Sequence, residues 1–276
     1  MAWGRRTPVR VRLGGGALAL AVLATGCWGG DDADGTGGPS ASPETSGNQH
    51  ASGGPDPGRT DDTFLDFVPD PDRQPENRAQ ALRIARKVVA KPADWGAGYV
   101  KGSDYKNGPR RSSELDEDCV WEQRPLPESQ FVAVVRRSEL PAKGDAGPLR
   151  VTAVVTVHRT EESARWEMAR TLEEPLRCPD QRLNATERIT GLRSGGDLSP
   201  DPSGAGDYLQ ETGRIHSDLP GSPHPYIWDV ARMGVVTFAV SVKGGTGHEE
   251  RELQSAGSKV IGYMSARVEM ETGVRK

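Results

Sequence analysis

The chain has 276 residues, with 35 Lys and Arg against 39 Asp and Glu and a formal net charge of −4 at pH 7. That mildly acidic balance excludes nucleic acid as a partner, because its binders need a clustered basic face. The length suits one domain with a full hydrophobic core, and the three cysteines, Cys27, Cys119 and Cys178, leave one over after any single pairing.

Residues 1–26 have the pattern of an export leader. Arg5, Arg6, Arg10 and Arg12 precede an apolar stretch from Leu13 to Ala24, and small residues, Ala24-Thr25-Gly26, lead to Cys27. The stretch is interrupted by three glycines and falls short of the roughly 20 apolar residues that span a bilayer, which matches the apolar region of a cleaved signal. The arrangement resembles a bacterial lipoprotein signal, in which the cysteine thiol is lipidated and becomes the mature N-terminus. It departs from that pattern in placing Leu23 four residues before the cysteine instead of three. Ala24 and Gly26 also suit ordinary signal-peptidase cleavage, the alternative that yields a secreted protein. Cysteine parity favours lipidation: if Cys27 carries lipid, Cys119 and Cys178 remain to pair. The implied location is the extracytoplasmic face of the cell membrane, held by two or more acyl chains such as palmitate.

Residues 27–73 are dominated at their start by Gly, Asp, Ser, Pro and Thr, too poor in apolar surface to offset the entropy of ordering, and read as a tether. The folded domain is expected over 74–271, with a flexible tail at 272–276. A helix is predicted from Asn77 to Ala90, followed by a loop from Asp94 to Tyr99 and a short strand at Cys119 to Glu122. Strands follow at Phe131 to Val135 and Leu149 to His158, separated by a turn-rich segment from Pro141 to Pro148. Thr160 is the expected N-cap of a helix that buries Ala164, Met168, Thr171 and Leu172 and ends near Pro175. Strands return at Tyr208 to His216, Tyr226 to Ala231 and Val235 to Val242, the last two joined through Arg232-Met233-Gly234. A closing helix runs from about Glu249 to Arg267. The order predicts an α+β fold, an antiparallel β-sheet with helices packed on one face, and an oxidising compartment makes Cys119 and Cys178 a structural disulfide.

Leu82-Arg83-Ile84-Ala85, Asp94-Trp95, Cys119-Val120-Trp121, Thr160-Glu161-Glu162-Ser163-Ala164, Leu176-Arg177-Cys178-Pro179 and Arg232-Met233-Gly234-Val235-Val236 occur in an order that resembles the PknH-like sensor family. That family is named for the extracellular C-terminal domain of a mycobacterial receptor kinase and also occurs in actinobacterial lipoproteins. The resemblance covers most of the chain beyond the tether and implies binding of an extracellular ligand in a cleft beside the sheet. The kinase domain and membrane span have no counterpart here, and this chain has one cysteine pair where the kinase sensor is similar to a two-disulfide domain.

Catalytic patterns are weak. His248-Glu249-Glu250 lacks the second histidine of a zinc-peptidase motif, no Gly-x-Ser-x-Gly elbow occurs, and His216 and His224 read as solvated loop residues. Asn184-Ala185-Thr186 reads as a chance glycosylation match, and the acidic run before Cys119 as a solvated surface. Neither a cofactor nor a metal is expected. Trp121, Tyr226, Trp228 and Arg232 are the candidate ligand-binding residues, since broad aromatic faces suit a sugar, peptide or cell-wall fragment; the competing reading places the aromatics in the core. The expected function is a non-enzymatic, membrane-anchored sensor or binding protein of the cell envelope, with a scaffold for another exported protein as the alternative and a hydrolase as the third reading.

Overall fold

The computed structural model describes residues 67–195 and 207–274. The expected leader, Cys27, the tether up to residue 66 and the last two residues lie outside these. Among the described residues no helix is long and apolar enough to cross a membrane.

The first helix, α1 (Arg78–Val88), starts where the Asn77 side chain accepts the backbone N–H groups of Ala79 and Gln80, and it buries Ala81, Ile84, Ala85 and Val88 on one stripe. The segment expected to be all loop contains a single helical turn, α2 (Pro92–Trp95). Pro92 presets its first dihedral and Asp94 accepts the N–H of Lys91 at 2.7 Å, so the turn closes although no apolar periodicity announces it. Asp94 also receives both terminal nitrogens of Arg267, at 2.9 and 2.6 Å. Burial works to raise the Asp94 pKa, but these bonds and charges outweigh it and hold the carboxyl below its ordinary value.

The main sheet contains β1 (Val100–Lys106), β4 (Gln130–Leu140), β5 (Leu149–His158), β6 (Gln181–Arg182), β7 (Arg188–Gly195), β8 (Asp207–His216), β9 (His224–Met233) and β10 (Val236–Lys243). Its order is β1-β4-β5-β10-β9-β8-β7-β6, with every pairing antiparallel. The strands β2 (Arg111–Leu115) and β3 (Trp121–Pro125) form a separate hairpin. The strand expected at Cys119 therefore starts at Trp121. Cys119 has a positive φ of 60° and Val120 makes only an isolated bridge to Arg182, so neither continues a ladder. Gly234, at φ 57°, supplies the positive φ of the tight β9–β10 turn.

Two further helices complete the domain: α3 (Glu161–Arg177), capped by the Thr160 side chain, and α4 (Glu250–Thr272). The α+β class, the antiparallel sheet and the disulfide are those expected; the helices, expected on one face, pack on both, because the alternation of the strands leaves a second, half-polar face that α3 covers. One sheet face carries Val151, Ala153, Val155, Val157, Phe238 and Val240, and α1 and α4 close over it to form the main core. The middle helix, α3, lies on the opposite face and runs two residues past Pro175, to Arg177. The helix α4 extends five residues beyond Arg267, because Thr272 and Gly273 meet the segment after residue 66: Asp70 donates its N–H to the Thr272 carbonyl at 2.9 Å, and Pro69 bridges Gly273. Residues 67–73 and 272–274, assigned to tether and tail by composition, are thus joined to the fold.

Cys119 and Cys178 are bonded, with 5.5 Å between their Cα atoms. The bond fastens the loop between β2 and β3 to the C-terminal end of α3.

Candidate functional site

The helix α3 leaves part of its sheet face open. Between that face, α3 and the β2–β3 hairpin lies a cleft of about 510 Å³. The alternation of β5 prepares its floor: while Val151, Ala153 and Val155 go to the core, Thr152, Val154 and Thr156 turn to the cleft. Ser241 and Lys243 of β10, Tyr226 and Trp228 of β9 and Glu211 of β8 extend the floor.

The wall formed by α3 is polar. Glu167, Arg170, Thr171, Glu174 and Arg177 recur at three- and four-residue spacing and face the cleft. This corrects the expected buried stripe. Ala164 and Thr171 are buried as anticipated, but Leu172 is 49% exposed, and Trp166 and Leu176 stand outward at 64% and 81%. The hydrophobic pattern misleads because this helix covers a half-polar cavity instead of an apolar core.

Three of the four predicted ligand-binding residues meet at the cleft. Trp121 reaches it from β3 and donates its indole N–H to Gln181 Oε1 at 2.8 Å. Tyr226 is nearly buried and packs with Ile189, Leu192 and Ile215, while Trp228 is partly exposed above the floor. Tyr226 belongs to a small satellite core, against which Trp228 also packs, and all three aromatics line the cavity. Arg232 does not join them. It pairs with Asp207 and donates to the Gly234 carbonyl at 3.1 Å, closing the β9–β10 turn at the edge of the face.

Two residues that motif reading passes over dominate the electrostatics. Glu211 is 2% exposed, and its Oε1 has no hydrogen-bond partner. Burial, and then the charge of Glu174, push its carboxyl up to about 8. Burial pushes Glu174 up to about 7, against the opposing charge of Arg170. The available signal was positional. Glu211 has the same strand parity as Ile215, an inward position, and Glu174 falls on the same helical stripe as Glu167 and Thr171.

At one end of the cleft Glu167 accepts from Gln130 Nε2 at 2.9 Å and from Thr237 Oγ1 at 2.7 Å, and lies 3.3 Å from His158 Nε2. Burial holds His158 below its ordinary pKa despite Glu167, so the imidazole is neutral at pH 7. The other histidines among the described residues are structural and not free in solvent. His216 bonds Thr190 Oγ1, His224 bonds the Pro220 carbonyl, and His248 lies between Glu252 and the Gly147 carbonyl. The sequon residue Asn184 accepts three bonds from Thr186 and Glu187, shaping the turn between β6 and β7. In the acidic run, Asp116 accepts the N–H groups of Asp118 and Val120 and so holds the loop before the disulfide. Among the described residues no group of three or more His, Cys, Asp or Glu is placed to hold a metal ion.

No model of a known protein family matches the chain. No curated protein matches it either.

Proposed function

We propose that the chain is a lipid-anchored, extracytoplasmic binding or sensor protein that captures a small or cell-wall-derived ligand in the cleft of α3, without chemical turnover. The observation that carries this reading is the cavity itself: about 510 Å³, inside the range of ligand sites, with two tryptophans and several polar groups in its lining. The leader ending at Cys27 supports the anchor, and the ordered motifs that resemble the PknH-like sensor family support the role. A thermal-shift screen against muropeptides, sugars and lipids tests it, because a ligand that binds the native state raises the midpoint by mass action. At least one class should raise it, and Trp228→Ala should remove that rise. A flat response across all classes counts against the reading.

The scaffold reading has an observation of its own. Leu172 and Leu176, one turn apart on α3, stand exposed on its outer side, an apolar surface of the kind that docks proteins. Cross-linking in intact cells from position 176 tests it: a single discrete adduct favours docking, and none removes it.

A further inference from the structure

The geometry points to an organic cation as the ligand of this cleft: an ammonium group carried on an apolar or ring-shaped body and held between the Glu211 carboxyl and the face of Trp228. This rests on the cleft being a binding site, and it names the chemistry of what enters.

The orphaned oxygen of Glu211 is the starting point. Buried acceptors are almost always paired, and one left alone is costly. Glu211 Oε1 is alone and its residue lines the cavity, so a donor arriving with a ligand satisfies it. The strand register then supplies a second element. Trp228 on β9 sits directly opposite Glu211 on β8, and Tyr226 follows two residues along on the same face. An aromatic face beside a carboxylate attracts an ammonium twice, through the ring quadrupole and through charge.

The basic groups of the cavity favour the same sign. Lys243 is bound to Glu187 at 2.7 Å, Arg177 donates to the Asp116 carbonyl at 2.8 Å, Arg137 donates to the Asp104 carbonyl at 3.1 Å, and Arg111 donates to the Gln123 carbonyl. Arg170 remains, and it offsets Glu174. An anion entering the cleft finds every basic side chain but Arg170 already bonded, whereas a cation finds an unpaired acceptor.

Around Glu211 the titratable and charged groups that share the cavity are Arg111 and Glu114 on β2, Arg137 on β4, Glu167, Arg170, Glu173, Glu174 and Arg177 on α3, Tyr226 on β9, Lys243 on β10 and Glu187 before β7. At neutral pH a proton occupies Glu211, and the ammonium of the ligand displaces that proton to solvent.

The test is calorimetric titration of the full chain with tyramine, cadaverine and glucosamine, each beside its neutral counterpart, 4-ethylphenol, pentane-1,5-diol and glucose, and with glucuronate as an anion. The expected result is that at least one amine binds about ten-fold more tightly than its neutral counterpart. Glu211→Gln should bring that ratio to within about two-fold, and Trp228→Leu should weaken the amine about five-fold. The ratio is read on the unaltered protein, so it stands even where a variant fails to fold. Equal or tighter binding of neutral compounds or of glucuronate overturns the cation assignment and leaves the cleft as a binding site. Silence from every compound also overturns it, and the muropeptide screen then decides the cleft on its own.

Discussion

Replacing Glu211 by Gln should make the protein more stable at pH 8 and leave it nearly unchanged at pH 5. Below pH 4.5 the carboxyl is protonated in both the folded and the unfolded chain and adds no pH dependence. Between 4.5 and about 8 the unfolded chain has lost the proton and the folded chain keeps it, so folding stability falls as pH rises. Above about 8 both states are ionised and the loss is complete. Each pH unit of that window is worth about 1.36 kcal/mol, which sets a ceiling of about 5 kcal/mol. Water that follows the ionised carboxylate into the cleft lowers the figure, so roughly 2–4 kcal/mol is expected. Gln keeps the shape and cannot ionise, and it escapes the loss. Urea unfolding followed by tryptophan fluorescence, on parent and variant at pH 5, 6.5 and 8, reads the difference directly. Other titrating groups are common to both proteins and largely cancel. The two should agree within about 1 kcal/mol at pH 5 and separate as pH rises, with the variant the more stable. A gap that does not change with pH, or a parent that gains on the variant at pH 8, refutes a buried protonated Glu211.

Cys27→Ser should release the mature protein from the membrane fraction into the medium; unchanged fractionation counts against lipidation. Denatured, unreduced protein should titrate no thiol if Cys27 is acylated, and Cys119→Ser with Cys178→Ser should cost about 4 kcal/mol in the same urea assay, the loop-entropy value for a separation of 59 residues; a loss under about 1 kcal/mol would leave the bond without a structural role. Gly257→Ala should destabilise by about 1–3 kcal/mol, since an added Cβ would stand 2.1 Å from Asp229 Oδ2, on a fully buried carboxyl that Tyr208 and Gln210 hold at 2.6 and 2.8 Å; wild-type stability in that variant would show that Asp229 moves freely.

Where a local rule and the tertiary environment agree, the elements were legible. Asn77 and Thr160 cap α1 and α3 because a short polar side chain satisfies free amides wherever a helix starts. The strand from Leu149 to His158 was readable to the residue, since β-branched alternation needs only a pleated backbone and one apolar partner face. Strands β1, β2 and β7 gave no such pattern. Val100–Lys106 and Arg111–Leu115 leave most of their residues in solvent, and Arg188–Gly195 has Gly191 at φ 59° between Thr190 and Arg193, where its pairing shifts register.

The capped helices, the β-branched strands, the α+β class and the cysteine pair were set by residue type and spacing, because capping, alternation and sulfur parity are local or arithmetic properties. The cavity was decided only by folding. Which side of the sheet receives α3, whether Trp228 meets solvent or core, and how far Glu211 and Glu174 hold their protons depend on what stands across the gap. Desolvation and the fields of neighbouring charges act through space, between residues the sequence keeps far apart.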